Sequence, residues 1–146
     1  MLTVGDTAPA WTAFDHEGRK RTSDEFSGKK YLLYFYPKDD TPGCTAEACG
    51  FRDRSKDLLS KVTVLGVSAD AAESHKKFAS KYALPFPLLS DPERSLISCY
   101  GVDGKTLPKR TSFLISPKGI IEKIYHGFDC ASHASDVLAD LDLLKA

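Results

Sequence analysis

No stretch of this 146-residue sequence is long and apolar enough to cross a bilayer, so a membrane-spanning role is excluded. An excess of one charge is missing as well: twenty Lys and Arg balance twenty Asp and Glu. Without a net field, neither nucleic acid nor an anionic membrane surface is drawn in, and partners must be recognised locally. The opening residues Met1 to Asp6 have neither the charged start nor the apolar run of a secretion signal, so the protein is expected in the cytoplasm. Cysteine is scarce. The four present, Cys44, Cys49, Cys99 and Cys130, are poor material for a disulfide framework where thiols are kept reduced, which leaves reactive, metal-binding or buried thiols. Repeats, linkers and low-complexity tracts are absent too. The 42% hydrophobic content is enough for one core, and residues 1–146 are expected to form a single domain.

What is there reads as an α/β fold, a central sheet flanked by helices. Tyr31–Tyr36 and Val62–Val67 are continuous apolar runs suited to strands buried on both faces. Each is followed by a helical pattern. The first runs from Thr45 to Asp53 despite Gly50; the second runs from Ala71 to Tyr82, with Pro85 as its stop. Thr111–Ser116 and Ile120–Tyr125 around Pro117-Lys118-Gly119 predict a hairpin. From Ala131 to Leu144, the spacing of Val137, Leu138, Leu141 and Leu144 predicts an amphipathic helix packed on the sheet. Near the N-terminus, Trp11–Phe14 and Arg19–Thr22 predict a short separate β-hairpin around His16-Glu17-Gly18.

The chemistry concentrates in Tyr36-Pro37-Lys38-Asp39-Asp40-Thr41-Pro42-Gly43-Cys44, at the end of a buried strand, where α/β sheets bind ligands. Thr41 suits the N-cap of a helix and Pro42 its first position, which places Cys44 third. That position faces backbone N–H groups without intrahelical partners, and the helix dipole favours negative charge there. A thiolate at Cys44 is therefore favoured, and the thiolate is the nucleophilic form. Cys49 lies five residues on. In an ideal helix its Cα would stand roughly 8 to 9 Å from that of Cys44 and about 140° around the axis. A disulfide does not bridge such a gap, so any Cys44–Cys49 bond requires the first turns of the helix to unwind. Gly50 would ease that melting.

The spacing Pro37-x-x-x-Thr41-x-x-Cys44 resembles the active-site motif of the peroxiredoxins, and Tyr36 through Asp53 resembles their peroxiredoxin Q, or bacterioferritin comigratory protein, subgroup. The likeness extends over nearly the whole chain, through Val4–Pro9, Leu89-Ser90-Asp91, Tyr100-Gly101-Val102 and Arg110–Ile115. It implies a thioredoxin-like fold with a mixed sheet, and a thiol peroxidase. Cys44 would become a sulfenic acid on splitting a hydroperoxide, and Cys49 would resolve it to a disulfide. Thr41 would turn its hydroxyl to thiolate and peroxide, Pro37 would screen the pocket, and Arg110 would stabilise the developing charge. The resemblance implies no cofactor and no metal, and a thioredoxin or glutaredoxin-type dithiol as reductant. The chain has no long tail after the last helix of the kind that carries an exchanged cysteine, which favours a monomer.

Cys99 and Cys130 fall outside the motif; either is an alternative to Cys49 as the resolving thiol, but both read as bystanders, and the segment from Ala71 to Tyr82 has no cysteine, which favours Cys49. Glu47 reads as a surface residue of the helix and stays outside the expected site. No Cys-x-x-Cys occurs, so the chain reads as the client of a disulfide reductase. Two other classes compete: a zinc module built from Cys44, Cys49, Cys130 and His133, and a thiol sensor that oxidises slowly and signals through a partner.

Overall fold

In the computed structural model the described residues are 2–104 and 107–144, the side chains of 142–144 excepted. In chain order the elements are β1 (Thr12–Asp15), β2 (Lys20–Thr22), a 3-10 turn (Ser23–Phe26), β3 (Tyr31–Phe35), α1 (Pro42–Asp53), α2 (Ser55–Leu58), β4 (Thr63–Ser68), α3 (Ala72–Tyr82), β5 (Leu88–Ser90), α4 (Ser95–Cys99), β6 (Thr111–Ile115), β7 (Ile121–His126) and α5 (His133–Leu144). The strands form one sheet in the order β2-β1-β5-β4-β3-β6-β7. β3, β4 and β5 run parallel, and the flanking pairs are antiparallel. The sheet is therefore mixed, as expected.

Period-two alternation along β3 sends Leu32, Tyr34 and Tyr36 to one face and Tyr31, Leu33 and Phe35 to the other. The first face is covered by Ala48 and Phe51 of α1, Phe78 of α3, and Val137 and Leu141 of α5. The second is covered by Trp11, Phe26, and Leu96 and Ile97 of α4. Of the face expected for the last helix, Val137 and Leu141 are buried and Leu138 packs against the core; the Leu144 side chain lies outside the described residues.

A glycine sits in the middle of β4 for a packing reason. A Cβ on Gly66 would stand 2.8 Å from both Leu88 Cδ2 and the hydroxyl end of Tyr34, its partner on the neighbouring strand. The Tyr34 ring uses that space and packs on Phe51 of α1, centroids 4.9 Å apart.

The N-terminal hairpin is not separate. β1 pairs with β5 through Phe14–Ser90 and Asp15–Leu89 and so extends the central sheet, burying Ala13 on the second face. That pairing joins residues some 75 positions apart, and local patterning carries no trace of it. The helix α3 ends at Ala83, which takes a left-handed conformation (φ 51°) and turns the chain ahead of Pro85.

Candidate active site

The end of β3 delivers Pro37, half-buried, and then a short loop fixed from two sides. Asp39 points inward. Its carboxylate accepts hydrogen bonds from Tyr36 Oη at 2.6 Å and Ser74 Oγ at 2.8 Å and lies 2.7 Å from His75 Nδ1, while its amide donates to Asp70 Oδ2 at 2.8 Å. Asp40 points outward with a left-handed backbone (φ 56°), which Asp tolerates, and accepts from Lys81 Nζ and Tyr82 Oη of α3, each at 2.8 Å. These two neighbours clip the loop to α3 before α1 begins.

The helix starts as its residues dictate. Thr41 occupies the N-cap with extended backbone, Pro42 follows at the first position, and Cys44 is third. The Thr41 hydroxyl, however, makes no cap bond; it donates to the Lys38 carbonyl at 2.8 Å. Along α1 the buried residues are Cys44, Glu47, Ala48 and Phe51, a stripe at helical spacing. Glu47, expected on the surface, belongs to this stripe and is 1% exposed. Cys49 lies off it and is half-buried.

Arg110, immediately before β6, reaches the same point from the neighbouring strand. Its Nη2 donates to Cys44 Sγ at 3.3 Å and its Nη1 to Glu47 Oε1 at 2.8 Å. One planar fork thus serves a sulfur and a carboxylate together. Burial works against the guanidinium charge, but Cys44, Glu47 and Cys130 outweigh it and hold the proton more firmly than usual. Burial also drives Glu47 up to about 7, opposed by Arg110, whose pull is the smaller effect. Behind the carboxylate, His133 Nε2 lies 3.9 Å from Glu47 Oε2 and 2.8 Å from Ser112 Oγ, and its ring stacks on Phe128 with centroids 3.7 Å apart. Burial, then the Arg110 charge, lowers His133 to about 4, so its ring is neutral at pH 7.

Gly43 keeps the fork in place. A methyl group at this position would stand 3.0 Å from Arg110 Nη2 and 3.6 Å from Cys130 Sγ. Cys130, expected to be a bystander, therefore lies beside the site. Burial raises its thiol, with Arg110 pulling the other way. Cys99, by contrast, is exposed at the end of α4, on the opposite face of the sheet.

The candidate zinc ligands do not assemble. Among the described residues the one group of three ligating side chains with atoms within 4.8 Å is Asp39, Asp70 and His75. Those atoms are already engaged in the loop's hydrogen bonds.

A model of the AhpC/TSA family matches residues 4–124. The chain belongs to the AhpC/TSA family, in its peroxiredoxin Q/bcp group. It is 43% identical to the putative peroxiredoxin bcp of Coxiella burnetii over 96% of this chain and 99% of that one. Among solved structures, a Xylella fastidiosa PrxQ variant superposes on this peroxiredoxin with a TM-score of 0.94 at 30% identity, covering 100% and 99% of the two chains. The Xanthomonas campestris bacterioferritin comigratory protein, described for its alkyl peroxide reduction, gives 0.88 at 30% identity over 93% and 92%. The fold is accordingly thioredoxin-like, and this AhpC/TSA chain is a peroxidase.

Proposed function

We propose that this chain reduces hydroperoxides, hydrogen peroxide and organic ones alike, through Cys44. The single observation that carries the reading is the Arg110–Cys44 contact at 3.3 Å over a helix start. A guanidinium there favours the thiolate, and its N–H groups also face the oxygen on which charge develops. In the reaction, the Cys44 thiolate attacks one peroxide oxygen, an S–O bond forms as the O–O bond breaks, and the departing oxygen takes a proton to leave as water or an alcohol. Cys44 is left as a sulfenic acid. Thr41 stands at the mouth of the helix, where its hydroxyl can turn from the Lys38 carbonyl to the peroxide, and Pro37 screens the approach. Glu47 is a positioning residue for Arg110.

Cys49 then condenses with the sulfenic acid, releasing water, once the start of α1 unwinds. A thioredoxin or glutaredoxin-type dithiol returns both sulfurs to thiols. The reading puts this cycle in the cytoplasm, supported by a cysteine content suited to a reducing compartment, and takes the chain as a monomer.

The test is hydroperoxide consumption coupled to a thioredoxin system, with wild type and Cys44→Ser side by side. Turnover should vanish in the variant. Mapping of wild type after one equivalent of peroxide should recover a Cys44–Cys49 disulfide. Turnover that survives loss of the Cys44 sulfur would overturn the proposal.

A further inference from the structure

Cys49 and Cys130 approach the start of α1 differently. Cys49 is on the same helix as Cys44 but off its buried stripe, so that pair closes only when hydrogen-bonded backbone is broken. Cys130 sits in the irregular segment between β7 and α5, over the first turn of α1. The space beside Gly43 Cα places it: Cys130 Sγ is 3.6 Å and Arg110 Nη2 is 3.0 Å from the point a Cβ would take, and that same Nη2 is 3.3 Å from Cys44 Sγ. Cys44 Sγ is thus hydrogen-bonded to this guanidinium arm and Cys130 Sγ lies on the near side of Gly43, and Cys44, Cys130 and Glu47 all act electrostatically on Arg110.

The Cys130 segment, residues 127–132, lies outside any helix or strand. Its hydrogen bonds stay within residues 129–136: Ala131 N donates to Asp129 Oδ1 at 3.0 Å, Ser132 N to Asp129 O at 3.2 Å, Ser132 Oγ to Asp129 O and Asp136 Oδ2 at 3.4 and 3.5 Å, and Asp136 N to Ser132 O at 3.0 Å, while Phe128 anchors its start by stacking on His133. A Cβ built on Gly50 would stand 3.7 Å from the Ala131 carbonyl and 3.9 Å from that of Cys130, so the segment passes over α1 at this glycine. Cys130 is partly exposed, so a sulfur there is also accessible to an outside thiol.

We propose that Cys130 is a second resolving thiol: its juxtaposition with Arg110 and Gly43 over the start of α1 lets it close a disulfide with Cys44 by a shift of the 127–132 segment instead of unwinding of the helix. The Cys130 thiolate attacks the Cys44 sulfur, the S–S bond forms as the S–O bond breaks, and the departing hydroxide takes the proton that Cys130 released, leaving water. The peroxide supplies the oxidising equivalents. Arg110 is placed to favour the attacking thiolate and to donate to the departing oxygen.

The inference rests on the peroxidase reading, and the experiment separates the two. Cys49→Ser, Cys130→Ser and the double variant are treated with one equivalent of hydrogen peroxide, then analysed by intact mass, dimedone trapping and non-reducing peptide mapping. In Cys49→Ser the expected product is a Cys44–Cys130 linked peptide with little trappable sulfenic acid. The double variant should accumulate the dimedone adduct at Cys44. A Cys49→Ser protein that accumulates the same adduct as the double variant, with no Cys44–Cys130 peptide, would overturn the role of Cys130 and leave the peroxidase reading intact. Failure of Cys44 to oxidise in wild type would instead overturn the peroxidase reading and this inference with it. Cys49→Ala and Cys130→Ala repeat the comparison without a hydroxyl, and far-UV circular dichroism confirms that each variant is folded.

Discussion

The Glu47 carboxylate holds Arg110 by a 2.8 Å hydrogen bond from inside the protein, and so decides which arm of the guanidinium is left for the Cys44 sulfur. A buried acid, rather than solvent, aims the cation. Its two partners can be altered separately.

Arg110→Ala removes both the charge beside the sulfur and the donor to the departing oxygen. Peroxide reduction should fall on the order of 100-fold, the usual loss for one such donor. Arg110→Lys should recover little of the rate, since an ammonium has no fork to span sulfur and carboxylate. An unchanged rate in Arg110→Ala, read by hydroperoxide consumption, would mean that the guanidinium does not act on the reacting atoms.

Gly43→Ala separates stability from activity. Alanine is the better helix former by about 1 kcal/mol in a helix interior, and Gly43 does not have a left-handed backbone that would oppose it. The added methyl would instead press on Arg110 Nη2 at 3.0 Å. The variant should unfold at the same or higher urea concentration while its Cys44 reacts with peroxide more slowly. Full activity would show that the fork relocates without cost.

Glu47 gives stability a pH signature of known sign. Its folded value of about 7 exceeds the ordinary 4.5, so the folded chain holds this proton more tightly than the unfolded one. The resulting stabilisation is complete below 4.5 and is lost as pH rises through about 7. Glu47→Gln keeps an acceptor for Arg110 and cannot ionise. Its stability relative to wild type, from urea melts, should rise between pH 4.5 and 7 and level off above, by at most about 3 kcal/mol. A flat difference would show that Arg110 keeps the carboxylate ionised throughout.

Ala83→Gly should stabilise the chain. Ala83 is exposed and left-handed at the C-terminus of α3. Relief of the Cβ strain, less the added freedom of glycine in the unfolded chain, comes to about 0.5 to 1 kcal/mol. Thermal unfolding would read it directly.

What the sequence revealed was local. The runs of β3 and β4, the hairpin of β6 and β7, and the Thr41-Pro42 start of α1 depend on neighbours within a turn or a strand, and each appears where its residues predict. Glu47 was missed because its partner is 63 positions away, although the spacing Cys44, Glu47, Ala48, Phe51 already marks one helical stripe. Cys130 ranked below Cys49 for a similar reason, since nothing in a loop's composition says which helix start it will lie over. Thr41 is the N-cap that its residue type predicts, though its hydroxyl donates to a carbonyl three residues back and makes no bond to the cap amides. Asp39 carried no signal at all: its burial depends on Tyr36, Ser74 and His75 converging from two elements.

The nucleophile follows β3 and the cation precedes β6, and these strands are adjacent, with Phe35 opposite Thr111 at the end nearest the site. The gap between sulfur and guanidinium is thus gauged by the sheet itself, as two tools bolted to adjoining rails. Deletion of a single residue inside β6 would carry Arg110 to the wrong side of the strand and silence the enzyme while leaving every reactive group in the chain.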